Sequence, residues 1–248
     1  ERLFTDKQVL QLLTIRRLMD RGMRAGQVVP LDSLELQRLA DEQLGSFAFR
    51  ERSPELEEFI QTLQHCDVQK LEELLHKHLT LKGLEGCVLQ IIAPLMSLIG
   101  DLWAGDRLEI FEEHLLSRQI YRFLDMVISR TTLPNRDNPV ILATLPGETH
   151  SLGLVMTEAI LLTREIPSVN LGIEVPVQQL AKIAQKMEAR SVGLSFSAAF
   201  PARKIRPLLN ELLAAMQSER EIWVGGSGVA HIKRLPKRIR LIKSFAEL

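Results

Sequence analysis

Apolar residues in the first half of the chain recur at spacings of three and four, which predicts a run of helices. A first helix is expected within residues 1–22, with an N-cap at Thr5 or Asp6, and a second is expected to begin near Asp32. The polar stretch 45–54 separates them from four further helical segments, at 54–64, 67–79, 83–103 and 108–131. Four segments of this length with short connections predict a four-helix bundle.

The pattern changes in the polar, proline-containing stretch 132–139. Beyond it, short apolar runs at 140–145, 168–171, 191–196, 222–224 and 239–242 alternate with helical patterns at 152–163, 177–187 and 202–216. Continuous apolar strands alternating with helices predict a parallel sheet covered on both faces. The sequence therefore predicts an α + α/β protein in which a helical cap precedes a Rossmann-like, flavodoxin-like domain. Ligands of such sheets bind at the carboxyl ends of the strands.

Composition excludes several classes of protein. Lys+Arg and Asp+Glu balance at 31 each, so no net charge attracts the chain to nucleic acid or membrane. The only two cysteines lack a CxxC spacing, which argues against a disulfide framework or a zinc site. The N-terminus has no signal-peptide pattern, and no apolar run is expected to span a bilayer. We expect a soluble, cytoplasmic protein with no membrane partner.

The loop after the first predicted strand carries the candidate chemistry. It contains Glu148 and His150, and residues at i and i+2 of an extended loop point the same way. A carboxylate that binds one imidazole nitrogen fixes the tautomer and directs the other nitrogen to a metal. Gly153, at the start of the next helix, would let a bulky ligand approach the backbone. The alternative is a histidine on a flavodoxin-like loop with no metal.

Small residues also end the third and fourth predicted strands. Ser195 and Ser197 flank Phe196 at the end of the third strand, and Gly225 and Gly226 end the fourth. Small side chains at neighbouring strand ends leave a slot along the sheet. Such a slot fits the buried tail of a large planar cofactor.

Together these motifs resemble the cobalamin-binding domain of methionine synthase and the mutases, whose pattern is Asp-x-His-x-x-Gly, Ser-x-Leu and Gly-Gly. Here 41 residues separate Gly153 from Ser195, and 27 separate Ser197 from Gly225, as in that pattern. The resemblance covers 139–248. It implies that His150 ligates cobalt from below after displacing the nucleotide base, with Ser195 and the two glycines lining the channel for that base.

Two residues depart from that pattern. Glu148 replaces an aspartate, which preserves the hydrogen bond to the histidine. Ser197 replaces a leucine, which is expected to loosen the base pocket.

A second group of candidate residues lies in the helical half. Ile110, Glu113, His114 and Ser117 share one helical face, and nine residues separate Trp103 from Glu113. A face that mixes an acid, an imidazole and a hydroxyl is unusual for a core, because buried charges need partners. The alternative is that Glu113 and His114 pair with basic neighbours, and the candidates for that are Arg107 and Arg118.

The Trp-x9-Glu-His spacing resembles the CarH/LitR family of MerR-type, light-sensing, cobalamin-dependent transcription regulators, and this resemblance covers the whole chain. It implies a four-helix bundle over the upper face of adenosylcobalamin. Trp103 would pack against the adenosyl group, with Ile110, Glu113 and His114 beside it. Ala104 stands where family members with a light-locked end state carry a histidine that binds cobalt from above.

The N-terminal residues are similar to the back half of a MerR-type winged-helix domain, whose recognition helix and wing are missing here. The expected domains are therefore 1–45 (MerR-type helices), 53–133 (four-helix bundle cap) and 139–248 (cobalamin-binding domain). Operator DNA would bind through the missing region, and the chain alone is not expected to bind DNA specifically. The basic run 233–240 is expected to be a strand edge with a solvated face.

The resemblance implies a regulator and not an enzyme. Adenosylcobalamin would assemble it in darkness into a homo-oligomer, a tetramer, and light would break the cobalt–carbon bond and dissolve the assembly. Three alternatives stay open at this point. The chain could be a corrinoid methyl carrier of a methyltransferase, a sensor of cobalamin level, or a sensor that has lost cobalamin.

Overall fold

The structure is a computed structural model that describes residues 23–36, 38–39, 53–103, 108–133, 135–216, 220–229, 232 and 235–248, with scattered positions from 8 to 19. At 101 and 103 it describes the backbone alone. The predicted N-cap at Thr5 or Asp6, and Ala104, lie outside the described residues. The chain forms two compact units, one of residues 1–78 and 90–120 and one of 79–89 and 121–248. The domain boundaries and the MerR-type fold of 1–45 stay predictions.

The N-terminal part of the first unit contains the short helix α1 (Ala25–Val28) and helical residues 33–36, 38 and 39. Asp32 caps the second of these, because its Oδ1 accepts hydrogen bonds from the backbone N–H of Leu34 and of Glu35, each at 2.8 Å. The carboxylate of Glu35 accepts in return from the N–H of Asp32 at 3.2 Å. The predicted start of this helix near Asp32 is confirmed.

Four longer helices follow: α2 (Pro54–Gln64), α3 (Val68–Cys87), α4 (Ala93–Trp103) and α5 (Ile110–Ser129). A π-helical turn, Val88–Ile92, joins α3 to α4. Ser53 caps α2, and Pro54 occupies its first position, where a missing N–H costs nothing. Within α3, Gly83 leaves the helical conformation with φ 68° and ψ 177°. This is the residue at which the periodicity predicts a new segment, so the break is a glycine kink and not a loop.

One face of each of these helices is apolar and buried, as the spacing predicts. On α2 and α3 the buried side chains are Leu56, Phe59, Ile60, Leu63, Leu71, Leu74 and Leu75. On α4 and α5 they include Leu95, Ile99, Leu116 and Ile120. The arrangement of the helices as a four-helix bundle stays a prediction.

Among the described residues, one helical run, Val68–Gly100, is long and apolar enough to cross a membrane, with a mean hydropathy of 1.6 in its most apolar window. The expectation that no run meets this criterion was therefore wrong. The criterion uses length and composition only, and core helices of soluble proteins meet it too. The run is weak evidence for a membrane span.

The second unit contains a parallel sheet of five strands: β1 (Val140–Ala143), β2 (Ser168–Asn170), β3 (Ser191–Ser195), β4 (Glu221–Gly225) and β5 (Ile239–Ile242). The strand order is β2-β1-β3-β4-β5. Helices α6 (Leu152–Thr163), α7 (Val177–Lys186) and α8 (Ala202–Ala215) connect the strands, with short 3₁₀ turns at Ser227–Val229 and Phe245–Glu247. The predicted parallel sheet with alternating helices is confirmed.

Every residue of β1 is buried, because successive side chains enter hydrophobic clusters on opposite faces of the sheet. Ile141 and Ala143 pack in the cluster that contains Leu180 of α7 and Leu209 of α8. Val140 and Leu142 pack in the other cluster, with Leu154 and Leu161 of α6. Burial on both faces explains why the strand is a continuous apolar run.

The basic run near the C-terminus leads into β5, which lies at one edge of the sheet, as predicted. The exposed Arg240 on this strand places its guanidinium 5.9 Å from the ring centre of Trp223 on β4. Lys233 and Arg234 lie outside the described residues.

Candidate functional site

The loop between β1 and α6 lies at the carboxyl edge of the sheet. The chain passes from β1 to β2 on one side and later returns to β3 on the other, so the end of β1 is the point where the order of the strands reverses. In open parallel sheets this is the usual position of a ligand site, because the two neighbouring connections leave in opposite directions. Gly147, with φ 89°, makes the turn that begins the loop.

Glu148 and His150 are in direct contact on this loop, as the sequence predicted. The Nδ1 atom of His150 lies 2.6 Å from Oε1 of Glu148, and the backbone N–H of His150 donates to the same oxygen at 3.0 Å. Only 1% of the Glu148 side chain is exposed, against 59% of that of His150. The carboxylate is therefore buried and supports the imidazole, and the imidazole itself is accessible from solvent.

Ser197 completes this arrangement from the end of the neighbouring strand. Its backbone N–H donates to Oε2 of Glu148 at 2.7 Å, and its hydroxyl donates to the same oxygen at 2.9 Å. The hydroxyl oxygen also lies 3.1 Å from Nδ1 of His150. The sequence predicted that Ser197 would loosen the base pocket. No contact here tests that pocket, but the hydroxyl has a second role that sequence reasoning missed.

These contacts keep Glu148 ionised. Burial alone raises the pKa of this carboxyl, but the hydrogen bonds from His150 and Ser197 outweigh burial and lower the pKa from 4.5 to about 2. At neutral pH the group is a carboxylate that can only accept hydrogen bonds. It therefore favours the His150 tautomer that carries its proton on Nδ1, which leaves Nε2 as the nitrogen that could ligate a metal.

The side chains at this site suit a metal ion whose other coordination positions are already filled by a cofactor. No group of three or more His, Cys, Asp or Glu side chains within the described part of the chain could hold a bare metal ion. A single imidazole can, however, complete the coordination of a cobalt ion whose equatorial positions are filled by a corrin ring. The residues present at the site fit cobalamin on this chemical ground.

Thr144, directly after β1, fixes the same loop and was not predicted as a site residue. Its buried hydroxyl donates to the backbone oxygen of Glu148 at 2.5 Å and accepts from the N–H of Glu174 at 2.9 Å. The sequence pattern places Thr144 inside an apolar strand, which hides this role. A hydroxyl at the carboxyl end of a buried strand is the signal that could have revealed it.

Close contacts in the structure explain why small residues occur at the predicted positions. A Cβ atom on Gly153 would lie 2.6 Å from Oγ of Ser195, so the close neighbour of this glycine is the end of β3. Gly226 has φ 96°, and a Cβ atom there would lie 2.3 Å from the backbone oxygen of Phe196. A Cβ atom on Gly225 would meet the backbone oxygen of Ile242 at 3.4 Å. A channel for the nucleotide base along these residues stays a prediction.

The second group of candidate residues lies at the start of α5. Oε2 of Glu113 and Nδ1 of His114 are 2.8 Å apart, and 72% of the His114 side chain is exposed. Ile110, on the same face, is also exposed. These two polar residues pair with each other, whereas the sequence offered Arg107 or Arg118 as partners, and Arg107 lies outside the described residues. Trp103 ends α4, but the structure does not describe its side chain.

Comparisons with known proteins bear on both halves of the chain. Residues 55–128 match the B12 binding domain family, a range that corresponds to α2 through α5. The chain is 25% identical over 246 residues to the HTH-type transcriptional repressor CarH of Myxococcus xanthus, which covers 96% of this chain and 81% of that protein.

Solved structures show the fold. The monomethylamine corrinoid protein of Methanosarcina barkeri is 15% identical, with a TM-score of 0.56 over 76% of this chain and 92% of that one. A cobalamin-binding protein from Desulfitobacterium hafniense is 18% identical over 69% of this chain and 83% of that one, but its TM-score of 0.39 is too low to support an argument. The match to the B12 binding domain family, together with the similarity to the repressor CarH, confirms the predicted cofactor: this chain binds cobalamin.

Proposed function

We propose that this chain is the sensory part of a cobalamin-dependent transcription regulator in which adenosylcobalamin controls oligomerisation and, through it, DNA binding. The observation that carries the proposal is the buried Glu148 carboxylate that holds the exposed imidazole of His150 at the carboxyl edge of the sheet. The similarity to a transcriptional repressor along 96% of the chain supports a regulatory role over an enzymatic one.

The residues below the cofactor have distinct tasks in this proposal. His150 would coordinate cobalt through Nε2, and Glu148 holds the imidazole ring in the required tautomer and orientation. Ser197 keeps Glu148 ionised and fixed. Ser195, Gly225 and Gly226 would line the channel for the displaced nucleotide base.

The residues above the cofactor respond to its upper ligand. Adenosylcobalamin supplies a cobalt–carbon bond that light cleaves. Trp103, Ile110, Glu113 and His114 would contact the adenosyl group in this proposal, and without that group a void would remain beside them. Such a defect costs on the order of 1–3 kcal/mol, enough to shift an interface between two states of similar free energy.

Size-exclusion chromatography in darkness and after green light tests this function. The adenosylcobalamin form should change its oligomeric size on illumination, whereas the hydroxocobalamin form, which lacks the adenosyl group, should elute identically in both conditions. Equal elution of the adenosylcobalamin form in light and darkness would contradict light sensing. A size that depends on the presence of any cobalamin would indicate a sensor of cobalamin level.

The second candidate is a corrinoid methyl carrier, which the fold likeness to a corrinoid protein favours. A carrier requires a methyltransferase partner and no change of oligomeric state. Methyl transfer between the bound cobalamin and such a partner, with unchanged elution in light, would establish this alternative.

A further inference from the structure

The last part of helix α3 is irregular. Gly83 leaves the helical conformation, and the π-helical turn Val88–Ile92 follows the end of the helix directly. A second glycine, Gly86, lies between these two irregularities. Glycine inside a helix lowers the stability of the helix, and π-helical turns frequently occur at functional positions. We name residues 84–87 the Glu85 segment. The helical conformation of α3 is easiest to change in this segment.

Glu85 joins this segment to helix α6. Its Oε1 atom lies 2.9 Å from Nη2 of Arg164, the residue that caps the end of α6. Residues 79–89 belong to the same compact unit as α6 and the sheet. The side chains of Arg164 and Glu85 are 27% and 43% exposed, so the ion pair is partly open to solvent. Such pairs contribute little free energy and can open readily.

Arg164 also contacts the C-terminal turn, Phe245–Glu247. Its Nη2 atom lies 3.5 Å from the backbone oxygens of Phe245 and of Ala246, and its Nη1 atom lies 3.5 Å from the oxygen of Ala246. Nη2 carries two hydrogen atoms but has three acceptors, and the contacts with the carbonyl oxygens are longer than the usual value of about 2.9 Å. Glu85 and the C-terminal turn therefore compete for one guanidinium group.

The C-terminal turn has other contacts that hold it in place. The guanidinium of Arg240 donates to the backbone oxygen of Glu247 at 2.7 Å. The carboxylate of Glu247 accepts from the N–H of Lys243 at 3.0 Å. The turn is therefore expected to stay beside Arg164 when Glu85 leaves, with its carbonyl oxygens available to the guanidinium.

We propose that Arg164 is a latch with two positions. In one position its guanidinium binds Glu85 and fixes the Glu85 segment on α6, and in the other it binds the carbonyl oxygens of the C-terminal turn and releases the segment. The structure shows the first position, because the bond to Glu85 is the short one. None of these groups belongs to the cobalamin site, so the latch goes beyond the proposed function and does not depend on it. In the proposed regulator it would supply a helical segment that can be held or released.

Cys87 reports the state of the Glu85 segment. Its thiol is buried, and burial raises its pKa to about 11, so little reactive thiolate forms while the segment is fixed. In a Cys66→Ser background Cys87 is the only cysteine of the chain. The rate at which it reacts with an aromatic disulfide reagent then measures how often the segment opens.

Loss of either partner should release the segment. Glu85→Gln and Arg164→Ala should each raise the reaction rate of Cys87 roughly two- to fivefold, as expected for a partly exposed ion pair. Exchange of the two charges, Glu85→Arg together with Arg164→Glu, should restore the slow rate. Glu58→Gln is the matched control, since it removes a comparable ion pair with Lys77, at 3.2 Å, and should leave the rate unchanged.

The C-terminal turn distinguishes a latch with two positions from a static cluster of charges. Backbone ¹⁵N relaxation of residues 245–247 should show greater order in Glu85→Gln, because the freed guanidinium binds the carbonyl oxygens more closely, and less order in Arg164→Ala. Unchanged reactivity of Cys87 in both variants, or a fast rate in the charge-exchanged protein, would overturn the latch. Unchanged or lower order of the turn in Glu85→Gln would overturn its second position.

Discussion

At the scale of single residues, the site depends on a carboxylate that is buried and yet ionised. Glu148 would be costly in this position without its donors, because removal of a charge from water is unfavourable. Four groups donate to it: the ring and backbone N–H of His150, and the N–H and hydroxyl of Ser197. The free energy of unfolding should therefore depend on pH. Removal of a single donor to Glu148 should also weaken cobalamin binding.

The pH dependence follows from the lowered pKa of Glu148. The folded protein binds this proton with a pKa of about 2, against 4.5 for the ordinary group. The carboxylate therefore stabilises the fold above pH 4.5 by at most about 3 kcal/mol, and this contribution is lost as the pH falls through that range toward 2. Urea unfolding of the cofactor-free protein at several pH values should show this loss of stability. The Glu148→Gln variant should lack the part of the pH dependence that Glu148 causes. Parallel curves for both proteins would contradict the assignment.

The hydroxyl of Ser197 should matter for the cofactor. Ser197→Ala removes one donor from Glu148 and leaves the backbone donor in place, so cobalamin affinity should fall by roughly three- to tenfold. Ser191→Ala is the matched control, because it removes a buried hydroxyl from the opposite end of β3 that has no hydrogen-bond partner within the described residues. Titration with hydroxocobalamin compares them. An equal loss in both variants would show that the effect arises from the strand and not from the Glu148 contact.

At the scale of elements, the apolar pattern predicts the strands and helices of the second unit closely. The bounds of α6 and β5 agree with the prediction, because each is a compact apolar run between polar residues. β1 ends at Ala143 and not at Leu145. The regular ladder with β2 stops there, because Leu142 and Thr144 accept from Leu171 and Val175, which are four residues apart and not two. The i, i+2 contact of Glu148 and His150 was predictable because it is local in the chain.

Contacts between strand ends were not predictable in the same way. Ser197 and Glu174 reach the His150 loop only because β1 lies between β2 and β3, and one sequence does not determine that order. The same limit applies to Gly226. Its spacing suggests a cofactor channel, whereas the structure shows that the backbone of Phe196 approaches it closely.

Alanine substitutions at Gly225 and Gly226 distinguish a role in packing from a role in cofactor binding. Gly226→Ala should destabilise the cofactor-free protein by about 2–4 kcal/mol, because it strains a positive φ and places a Cβ against the oxygen of Phe196. Gly225→Ala should cost less, since its Cβ would lie 3.4 Å from the nearest atom and its φ is not positive. Urea unfolding without cofactor measures both. Equal stability of the two variants would refute the packing role of Gly226.

At the scale of the whole molecule, the residue at position 104 affects whether the protein keeps its cofactor after illumination. Ala104 has no side chain that can bind cobalt, whereas the resemblance implies a histidine at this position in those regulators that have a light-locked end state. The illuminated protein should therefore lose its cobalamin more readily than the Ala104→His variant. Gel filtration after green light, followed by the absorbance ratio of cofactor to protein, measures the retention. Equal retention by both proteins would mean that another group replaces the missing ligand.

The central claim is that His150 binds the cobalt of cobalamin from below, and electron paramagnetic resonance of the bound cob(II)alamin tests it most directly. In protein labelled with ¹⁵N at histidine only, coordination through Nε2 of His150 should convert the nitrogen superhyperfine triplet of the cobalt signal into a doublet. The doublet should be absent in His150→Ala, and Glu148→Gln should retain it while binding about 10- to 100-fold more weakly. A triplet that persists in the labelled protein would show that the nucleotide base, and not His150, is the lower ligand.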